Sequence, residues 1–400
     1  VSNLESIARS LNARATDVEY NPLVISYLVI GIKNSYWFID KDRIAPEYKK
    51  LLPSNLKLLP YDNFAKELES LSVSKTVMID KNEVSQWVLN HIHPSAKIRY
   101  QTSPITKMKA IKNSFEIKMM SNACLRDSFY LAEAIFWIKN EVKRRPVTEC
   151  ELIDKIKEFK SKDKNYLELS FEPIAAYNKN AAVIHYEPKL LPSCASIKNK
   201  GIVLIDCGAH FTDGTTDATR TFTVGKVKSK VKQDYTRVLK GHLALNILKF
   251  PAGTKGYHVD ALARQFLWEA GLNYSHGTGH GVGYVTSVHE TAGFGITPLR
   301  PMSIDEGMVF SNEPGYYKEG HYGIRIENMV FVEKHKDKFL KLAQMTYCPY
   351  ERELIDVKML DQKELDWVNK YHKIVLKKLK PMIKDRAMLD WLKKTCAPLI

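Results

Sequence analysis

Long apolar runs are scarce in this sequence, and none is long enough to cross a membrane as a helix. The longest, Leu23–Ile32, falls well short of the roughly 20 residues that span a bilayer, and Ser26 and Tyr27 interrupt it. We predict a buried strand there. The first residues lack a basic region followed by an apolar stretch, so no secretory signal is expected. With 44% hydrophobic and 26% charged residues, the composition is typical of a globular protein without a membrane partner.

Cysteine is sparse and forms no CxxC pair. Scattered cysteines in a chain of 400 residues are typical of reduced thiols in a reducing compartment, not of a disulfide framework. We therefore expect reduced thiols and a cytoplasmic location. The six cysteines are Cys124, Cys150, Cys194, Cys207, Cys348 and Cys396.

Three common motifs are also missing. The glycine-rich run His276–Gly283 has Val282 where a dinucleotide-binding fingerprint has its third glycine. No P-loop with Gly-Lys-Ser/Thr occurs, and His289-Glu290 lacks the second histidine of HExxH. The sequence therefore gives no support to a dinucleotide-binding, P-loop or HExxH-type protein.

The net charge of +15 does not predict a nucleic-acid partner, because the lysines are dispersed. The densest clusters, Lys377-Lys378 and Lys393-Lys394, lie on stretches with helical periodicity. We interpret them as solvated helix faces and expect no nucleic-acid binding.

The length and a change in pattern predict two domains. Residues 1–103 predict a small α/β domain that ends near Ser103-Pro104, and residues 104–400 predict a larger α+β domain with a C-terminal helical tail. The predicted strands are 23–32, 36–39, 76–79, 169–176, 182–186, 201–206 and 219–224. The predicted helices are 61–71, 83–92, two or three within 107–163, 231–249, 258–270, 362–379 and 387–395.

Two helix ends carry specific signals. Thr148, followed three residues later by Glu151, is the pattern of a capping box and predicts a helix start. Gly271 follows an amphipathic stretch and predicts a helix that ends with glycine at its C′ position.

Two aspartates are the first candidates for chemistry. Asp206 ends an apolar run, and Asp217 follows the turn signal Asp213-Gly214 at the start of the next predicted strand. A hairpin would place the two carboxylates side by side. Carboxylates that close repel each other unless a proton or a cation lies between them. Taken alone, however, an aspartate at a strand end is more often a cap or turn residue.

Histidines among glycines are the second candidate element. His276 and His280 lie four residues apart in a run with glycine at every second position, and His289 lies nine residues further on. Neutral imidazole suits borderline divalent metals, and the glycines permit close backbone approach and unusual backbone angles. One such histidine would often be a structural turn residue, but three together favour a site.

Two glutamates form the third element. Glu313 precedes Pro-Gly-Tyr-Tyr, and Glu327 lies two residues after Arg325 in a run that alternates charged residues with isoleucine. On a strand, Arg325 and Glu327 would point to one face and the isoleucines to the other. A polar face in a buried strand needs a partner. Each glutamate alone would be interpreted as a surface residue.

Together, Asp206, Asp217, His280, Glu313 and Glu327 supply four carboxylates and one imidazole. Four negative charges balance two divalent cations, and paired metals about 3.5–4 Å apart are a recurrent hydrolytic arrangement. Oxygen-rich ligation favours hard or borderline ions such as Mn²⁺ over thiolate-type zinc. We therefore predict a site for two divalent metal ions, with Mn²⁺ preferred.

The order and contexts of these five residues resemble the pita-bread family of creatinase, prolidase, methionine aminopeptidase and aminopeptidase P. Within it, the chain most resembles the cytosolic Xaa-Pro aminopeptidases (aminopeptidase P), and the resemblance extends over essentially the whole chain. The motifs that carry it are Asp213–Asp217, His276–Gly283, Glu313–Tyr317, Gly323–Asn328, Asp17–Pro22 and Asp366–His372. Asn178-Lys179-Asn180 is a departure, since relatives tend to have a Gly-Pro-containing turn there.

The resemblance implies a pita-bread catalytic domain and a homodimer. It also implies that the preceding α/β domain is of the creatinase N-terminal type and incomplete, because the chain would begin inside the second of three domains. The implied activity is metal-dependent release of the N-terminal residue from peptides with proline in the second position, by a metal-bridging hydroxide.

The resemblance also implies roles for individual residues. The five residues of the metal set would bind two Mn²⁺ ions, and Glu313 would also serve as general base. His289 would stabilise the intermediate, and His185 and His276 would shape the proline pocket, with His276 also grouped with the catalytic residues. Arg325, grouped with the substrate-binding residues, would either orient a ligand carboxylate or form a structural ion pair beside the site.

Two other interpretations remain. A prolidase-type dipeptidase of the same fold would act on dipeptides and leave longer peptides alone. A metal-free pita-bread binding module would have lost its metal ligands, whereas all five are present in this sequence.

Overall fold

The computed structural model describes residues 1–188, 194–290, 295–298 and 302–400. The chain divides into two compact units, Val1–Lys109 and Ala110–Ile400. The predicted boundary after residue 103 falls immediately before the helix Pro104–Ala110. Within the described ranges, no helix is both long and apolar enough to span a membrane.

The first unit is an α/β arrangement of short elements. It contains 3₁₀ turns at Lys41–Arg43 and Tyr61–Asn63. Its strands are β1 Tyr27–Val29, β2 Ser35–Phe38, β3 Leu56–Leu59, β4 Thr76–Ile79 and β5 Lys97–Tyr100. Its helices are α1 Leu4–Leu11, α2 Pro46–Lys49, α3 Phe64–Ser72 and α4 Gln86–Asn90, and α5 is Pro104–Ala110.

Strand β2 is the middle strand of a three-stranded sheet, in which it pairs antiparallel with β1 and parallel with β3. Neighbouring residues of a strand point to opposite faces. Trp37 accordingly packs in one apolar cluster with Ile7 and Leu28, and Phe38 packs in another with Phe64. Strands β4 and β5 form a separate parallel pair.

The second unit combines long helices with several small antiparallel sheets. Its helices are α6 Ser114–Glu141, α7 Glu149–Ser161, α8 Ser229–Ile247, α9 Gly256–Trp268, α10 Gln362–Leu379 and α11 Arg386–Thr395. Its strands are β6 Val147–Thr148, β7 Tyr166–Leu169, β8 Ile174–Tyr177, β9 Ser196–Ile197, β10 Ile202–Cys207, β11 Ala209–Phe211, β12 Gly214–Thr215, β13 Ala218–Thr223, β14 Lys249–Pro251, β15 Gly279–His280, β16 Gly295–Ile296, β17 Val309–Asn312, β18 Gly315–Lys318, β19 Tyr322–Arg325, β20 Asn328–Lys334 and β21 Phe339–Gln344. Turns of 3₁₀ helix lie at Asn178–Ala182, Arg352–Leu354, Val357–Met359 and Lys380–Met382.

Strand β10 is the middle strand of the three-stranded sheet β13-β10-β8. Every residue of β10 and β13 is buried. Val203, Ile205 and Cys207 belong to the largest apolar core, which also includes residues of α6, α7, α8 and α10. Asp206 has the opposite parity along β10, so its side chain leaves the strand on the other face. A sheet buried on both sides thus directs one carboxylate away from the main core.

Both predicted helix ends are confirmed. The Thr148 side chain accepts a 3.1 Å hydrogen bond from the Glu151 amide and caps α7. Gly271 has a φ of +67°. The Gly271 and Leu272 amides donate to the carbonyls of Trp268 and Leu267, the two bonds of a Schellman motif after α9.

Other predictions need correction. The predicted strand at 23–32 forms only at Tyr27–Val29. The predicted strand at 169–176 is two strands, β7 and β8. No strand forms at 182–186, because the 3₁₀ turn Asn178–Ala182 ends β8 and reverses the chain. Apolar β-branched residues there suggested a strand, but they follow a turn instead of pairing.

The expectation that all six cysteines are reduced is wrong for one pair. Cys150 and Cys194 form a disulfide with a Cα–Cα distance of 5.9 Å. They lie 44 residues apart in sequence, but the pairing of β6 with β9 brings the two segments together. The spacing of the cysteines in the sequence does not indicate this strand pairing. Cys124, Cys207, Cys348 and Cys396 are buried free thiols.

Removing the cap of α7 should destabilise the second unit. Thr148→Ala leaves the Glu151 amide without its acceptor, and losing such a cap costs about 1 kcal/mol. We expect a lower free energy of unfolding in a denaturant titration. Thr395→Ala is the matched control, because the Thr395 hydroxyl donates to the Trp391 carbonyl within its own helix and caps no helix start. Equal losses in both variants would contradict the capping role.

Candidate metal centre

The two predicted aspartates come together at the end of sheet β13-β10-β8. Asp206 lies opposite Thr219 in the antiparallel register of β10 and β13, and Asp217 immediately precedes β13. The turn at Asp213-Gly214 joins an inserted hairpin, β11 and β12, rather than β10 and β13 themselves. The hairpin between the aspartates is therefore longer than predicted, but it brings them to the same place.

The two glutamates reach the same region from the β17–β20 segment. Glu313 follows β17, and its amide donates to the Thr278 carbonyl at 2.8 Å. Glu327 lies in the short gap between β19 and β20, and its amide donates to the Thr219 carbonyl at 3.1 Å. The predicted continuous strand from Arg325 to Glu327 is thus interrupted, although both side chains are buried.

His280 joins the carboxylates from strand β15. Its Nε2 lies 3.3 Å from Asp217 Oδ2 and 3.5 Å from Glu313 Oε1. The neighbouring Gly279 explains the close approach of β15 to β17, since a Cβ there would lie 2.0 Å from the Ser311 carbonyl oxygen. Gly279 has no positive φ, so this glycine permits contact rather than an unusual backbone.

The side-chain ligand atoms of these residues form overlapping triplets, with the atoms of each triplet within 4.8 Å of one another. The triplets are Asp206, Asp217 and Glu327; His280, Glu313 and Glu327; and Asp217, His280 and His289. All five residues of the predicted metal set therefore lie in one cluster. His289, predicted to act on the substrate, also touches it.

The cluster is strongly electronegative. Burial raises the pKa of Asp217 well above its ordinary value, and the charges of Asp206 and Glu313 add to the effect. Burial and the charges of Asp217 and Glu313 likewise raise the pKa of Glu327. Burial alone would also raise the pKa of Glu313, but the neighbouring His280, His276, Arg325 and His289 together outweigh it and lower that pKa.

The donor set fits divalent cations. Within the described part of the chain, Asp206 Oδ1 is buried and has no hydrogen-bond partner. A buried acceptor without a donor costs free energy, and several buried carboxylates in contact cost more unless positive charge is added. Four carboxylates and one imidazole suit borderline ions such as Mn²⁺. These residues could hold two such ions.

A second layer of hydrogen bonds fixes the cluster. The Arg325 guanidinium donates to Asp206 Oδ2 at 2.5 Å, to the Thr219 hydroxyl at 3.2 Å and to the Tyr317 hydroxyl at 2.8 Å. The Thr219 hydroxyl donates to Glu327 Oε2 at 2.7 Å. Arg325 is buried, and each side-chain nitrogen has a protein acceptor, so it supports a carboxylate rather than facing an open pocket.

Tyr317 and Thr219 are the residues that sequence reasoning missed. The Tyr317 hydroxyl also lies 2.8 Å from His276 Nε2, so it connects Arg325 with a predicted substrate-site histidine. Tyr317 ends the motif Glu313–Tyr317, and its place in that motif could have identified it as a site residue. Thr219 carried no signal, because its contact with Glu327 spans 108 residues of sequence.

Two of the three predicted substrate-site histidines, His276 and His289, border the cluster. His276 Nδ1 lies 3.9 Å from Glu313 Oε2. The His289 ring centroid lies 4.2 Å from that of His280. The His280 charge and burial lower the pKa of His289 to about 4, and the His185 charge contributes in the same direction. His185 itself is exposed.

The chain belongs to metallopeptidase family M24, whose model matches residues 118–334. A creatinase/prolidase N-terminal domain model matches residues 1–116, and a C-terminal region model of the same peptidases matches residues 338–399. These matches confirm the predicted family and fold class, a pita-bread metallopeptidase domain after a creatinase N-terminal-type domain.

Several relatives match this chain along its whole length. The whole chain is 39% identical to a Pyrenophora teres f. teres protein named "Probable Xaa-Pro aminopeptidase P" and spans 64% of that protein. It is 36% identical to "Xaa-Pro aminopeptidase 1" of Dictyostelium discoideum and spans 65% of it. A crystal structure of X-prolyl aminopeptidase from Caenorhabditis elegans, described as a cytosolic enzyme with a di-nuclear active site, matches 99% of this chain with a TM-score of 0.93 and 33% identity. The chain covers 67% of that structure.

The Asp217→Asn variant tests two effects of this carboxylate: its repulsion of the other carboxylates, and its contribution to cation binding. In chelator, removing one buried charge should leave the thermal unfolding midpoint equal to or above that of the unchanged protein. With Mn²⁺ added, the unchanged protein should gain stability, by about 2.7 kcal/mol at 100 times the dissociation constant. The variant should gain much less.

Asp390→Asn is the control, since Asp390 is an exposed residue paired with Lys393. That control should respond to Mn²⁺ like the unchanged protein. An equal Mn²⁺-dependent shift in Asp217→Asn would contradict the assignment.

Proposed function

We propose that this chain is a metal-dependent Xaa-Pro aminopeptidase that releases the first residue from peptides with proline second. The observation that carries the proposal is the single cluster formed by Asp206, Asp217, His280, Glu313 and Glu327 in a family M24 fold. Relatives along the whole chain that are named Xaa-Pro aminopeptidases support the specificity.

Two divalent ions, with Mn²⁺ preferred, would be held by these five residues. When bound, they would polarise the scissile carbonyl and lower the pKa of a water so that a nucleophile forms at neutral pH. Asp206, Asp217 and Glu327 would form the deep side, since they are nearly fully buried. Arg325 and Thr219 would hold Asp206 and Glu327 in place.

Glu313 is the proposed general base. Its side chain is 17% exposed, against 5% for Asp217, so it faces the open side of the cluster. From there its carboxylate would take the proton of the attacking water and deliver it to the departing proline nitrogen. The Ser311 hydroxyl donates to Glu313 Oε1 at 3.2 Å and orients the carboxylate.

The histidines would bind and orient the peptide. His289 would donate a hydrogen bond to the carbonyl oxygen as negative charge develops there. His276, held by Tyr317, and His185 would form the walls of the proline pocket. Proline has no amide N–H, so recognition by ring walls suits it better than recognition through that donor.

Location and assembly belong to the same proposal. A cytoplasmic location is supported by the nematode structure's description as a cytosolic enzyme. A homodimer is supported by the family resemblance of the sequence motifs.

Neutralising the proposed base should stop the reaction while leaving the fold intact. Glu313→Gln should lower kcat for an Xaa-Pro-Yaa tripeptide by about 10²–10⁴-fold, the usual contribution of acid–base catalysis. Glu319→Gln, an exposed neighbour, should retain full activity. Turnover of Glu313→Gln within a few-fold of the unchanged protein would refute the role.

Peptide length should distinguish the two peptidase interpretations. With Mn²⁺, the chain should cleave the first bond of Xaa-Pro-Yaa peptides, which a prolidase would leave intact because it acts on dipeptides. Product analysis by mass spectrometry gives the answer. Cleavage of the dipeptide alone would indicate a prolidase, and a folded chain without Mn²⁺-dependent cleavage would favour the binding module.

A further inference from the structure

Glu149 is a buried carboxylate outside the metal cluster, and the mechanism gives it no role. It begins α7 and has no exposed surface. Its carboxylate accepts hydrogen bonds from the Tyr177 amide at 2.7 Å, the Asn180 side chain at 3.0 Å, the Tyr186 hydroxyl at 2.8 Å and the Ala195 amide at 3.3 Å. These donors carry no formal charge. A buried carboxylate satisfied by neutral groups keeps them in fixed positions, because each lost bond leaves charge unsolvated.

The four donors lie on one stretch of chain that leads into and out of the His185 region. Tyr177 ends β8, Asn180 lies in the 3₁₀ turn, Tyr186 follows His185, and Ala195 precedes β9. Glu149 also donates its own amide to the Ala195 carbonyl at 3.0 Å. One side chain therefore ties both ends of the segment that carries a proposed substrate-site histidine.

The 3₁₀ turn also packs against β19, the strand whose Arg325 hydrogen-bonds to the metal cluster. A Cβ on Gly323 would lie 1.7 Å from the Ala181 carbonyl oxygen, so the turn rests directly on β19, the strand that carries Arg325. Asn178 holds the start of the turn with a φ of +48° and accepts a bond from the Ile202 amide at 3.0 Å. The turn is thus fixed on one side by β19 and on the other by Glu149.

Tyr186 and His185 then point in different directions. Tyr186 is partly buried against the apolar group that includes Ala176, Ala181 and Leu204. His185, the residue before it, is exposed. The bond from Tyr186 to Glu149 therefore fixes the backbone next to His185 while the His185 side chain stays exposed.

We propose that Glu149 is a positioning residue that holds segment 177–186, and with it His185, at the wall of the substrate pocket. The expected effect on KM rests on the proposed peptidase function, whereas the expected effect on the order of segment 177–186 does not.

The test compares Glu149→Gln and the milder Tyr186→Phe with Glu151→Gln, a half-exposed control on the same helix. Hydrogen–deuterium exchange in residues 174–188 should rise in the first two variants and not in the control. In reducing buffer, so that the Cys150–Cys194 link does not hold the segment, KM for an Xaa-Pro-Yaa peptide should rise about ten-fold in Glu149→Gln, equivalent to about 1.4 kcal/mol. The kcat should change less than two-fold.

A double-mutant cycle separates positioning from general destabilisation. In a His185→Ala background, Glu149→Gln should cause no further rise in KM, since residues that act through one another are not additive. Unchanged exchange in both variants, or an additive rise in KM, would overturn the proposal. If the unchanged protein cleaves no Xaa-Pro peptide, the proposed function fails, and the exchange result alone then decides whether Glu149 positions the segment.

Discussion

Mutual repulsion among four clustered carboxylates, three of them buried, is the constraint on which the rest of the site depends. Asp206, Asp217, Glu313 and Glu327 are brought within contact by antiparallel pairing and by backbone bonds such as that from Glu327 to Thr219. Burial removes the water that would screen these charges, so the arrangement is favourable only with added positive charge. Arg325 supplies some of it. Divalent cations can supply the positive charge that is still needed, and carboxylates and imidazole are ligands that such ions accept.

The surrounding structure is arranged to keep these charges close despite their repulsion. Strands β10 and β13 are buried along their whole length, so Asp206 and Asp217 are fixed by a rigid sheet. Gly279 lets β15 approach β17, which brings His280 to the carboxylates. The bonds from Arg325 to Asp206 and Tyr317 extend this order to His276. Rigid elements carry the metal set, whereas His185 is an exposed residue on a segment that hydrogen-bonds to the buried Glu149.

Much of this was predictable from local patterns, and the rest depended on contacts distant in sequence. Helix α10 was predicted with its observed ends, and the Thr148 and Gly271 signals were correct because capping is a local interaction. The metal-set residues were found because each has a motif around it. Thr219, Glu149 and the Cys150–Cys194 disulfide were missed or mistaken, since their partners lie far along the chain. The strand predicted at 182–186 failed because apolar β-branched residues also occur after turns.

Metal content is the most direct test of the central claim. The purified chain should be stripped with chelator, re-equilibrated with excess Mn²⁺, freed of unbound metal and analysed by inductively coupled plasma mass spectrometry. The account predicts close to two Mn²⁺ per chain for the folded protein and close to none after heat unfolding. A folded chain that retains no divalent metal under these conditions would contradict it.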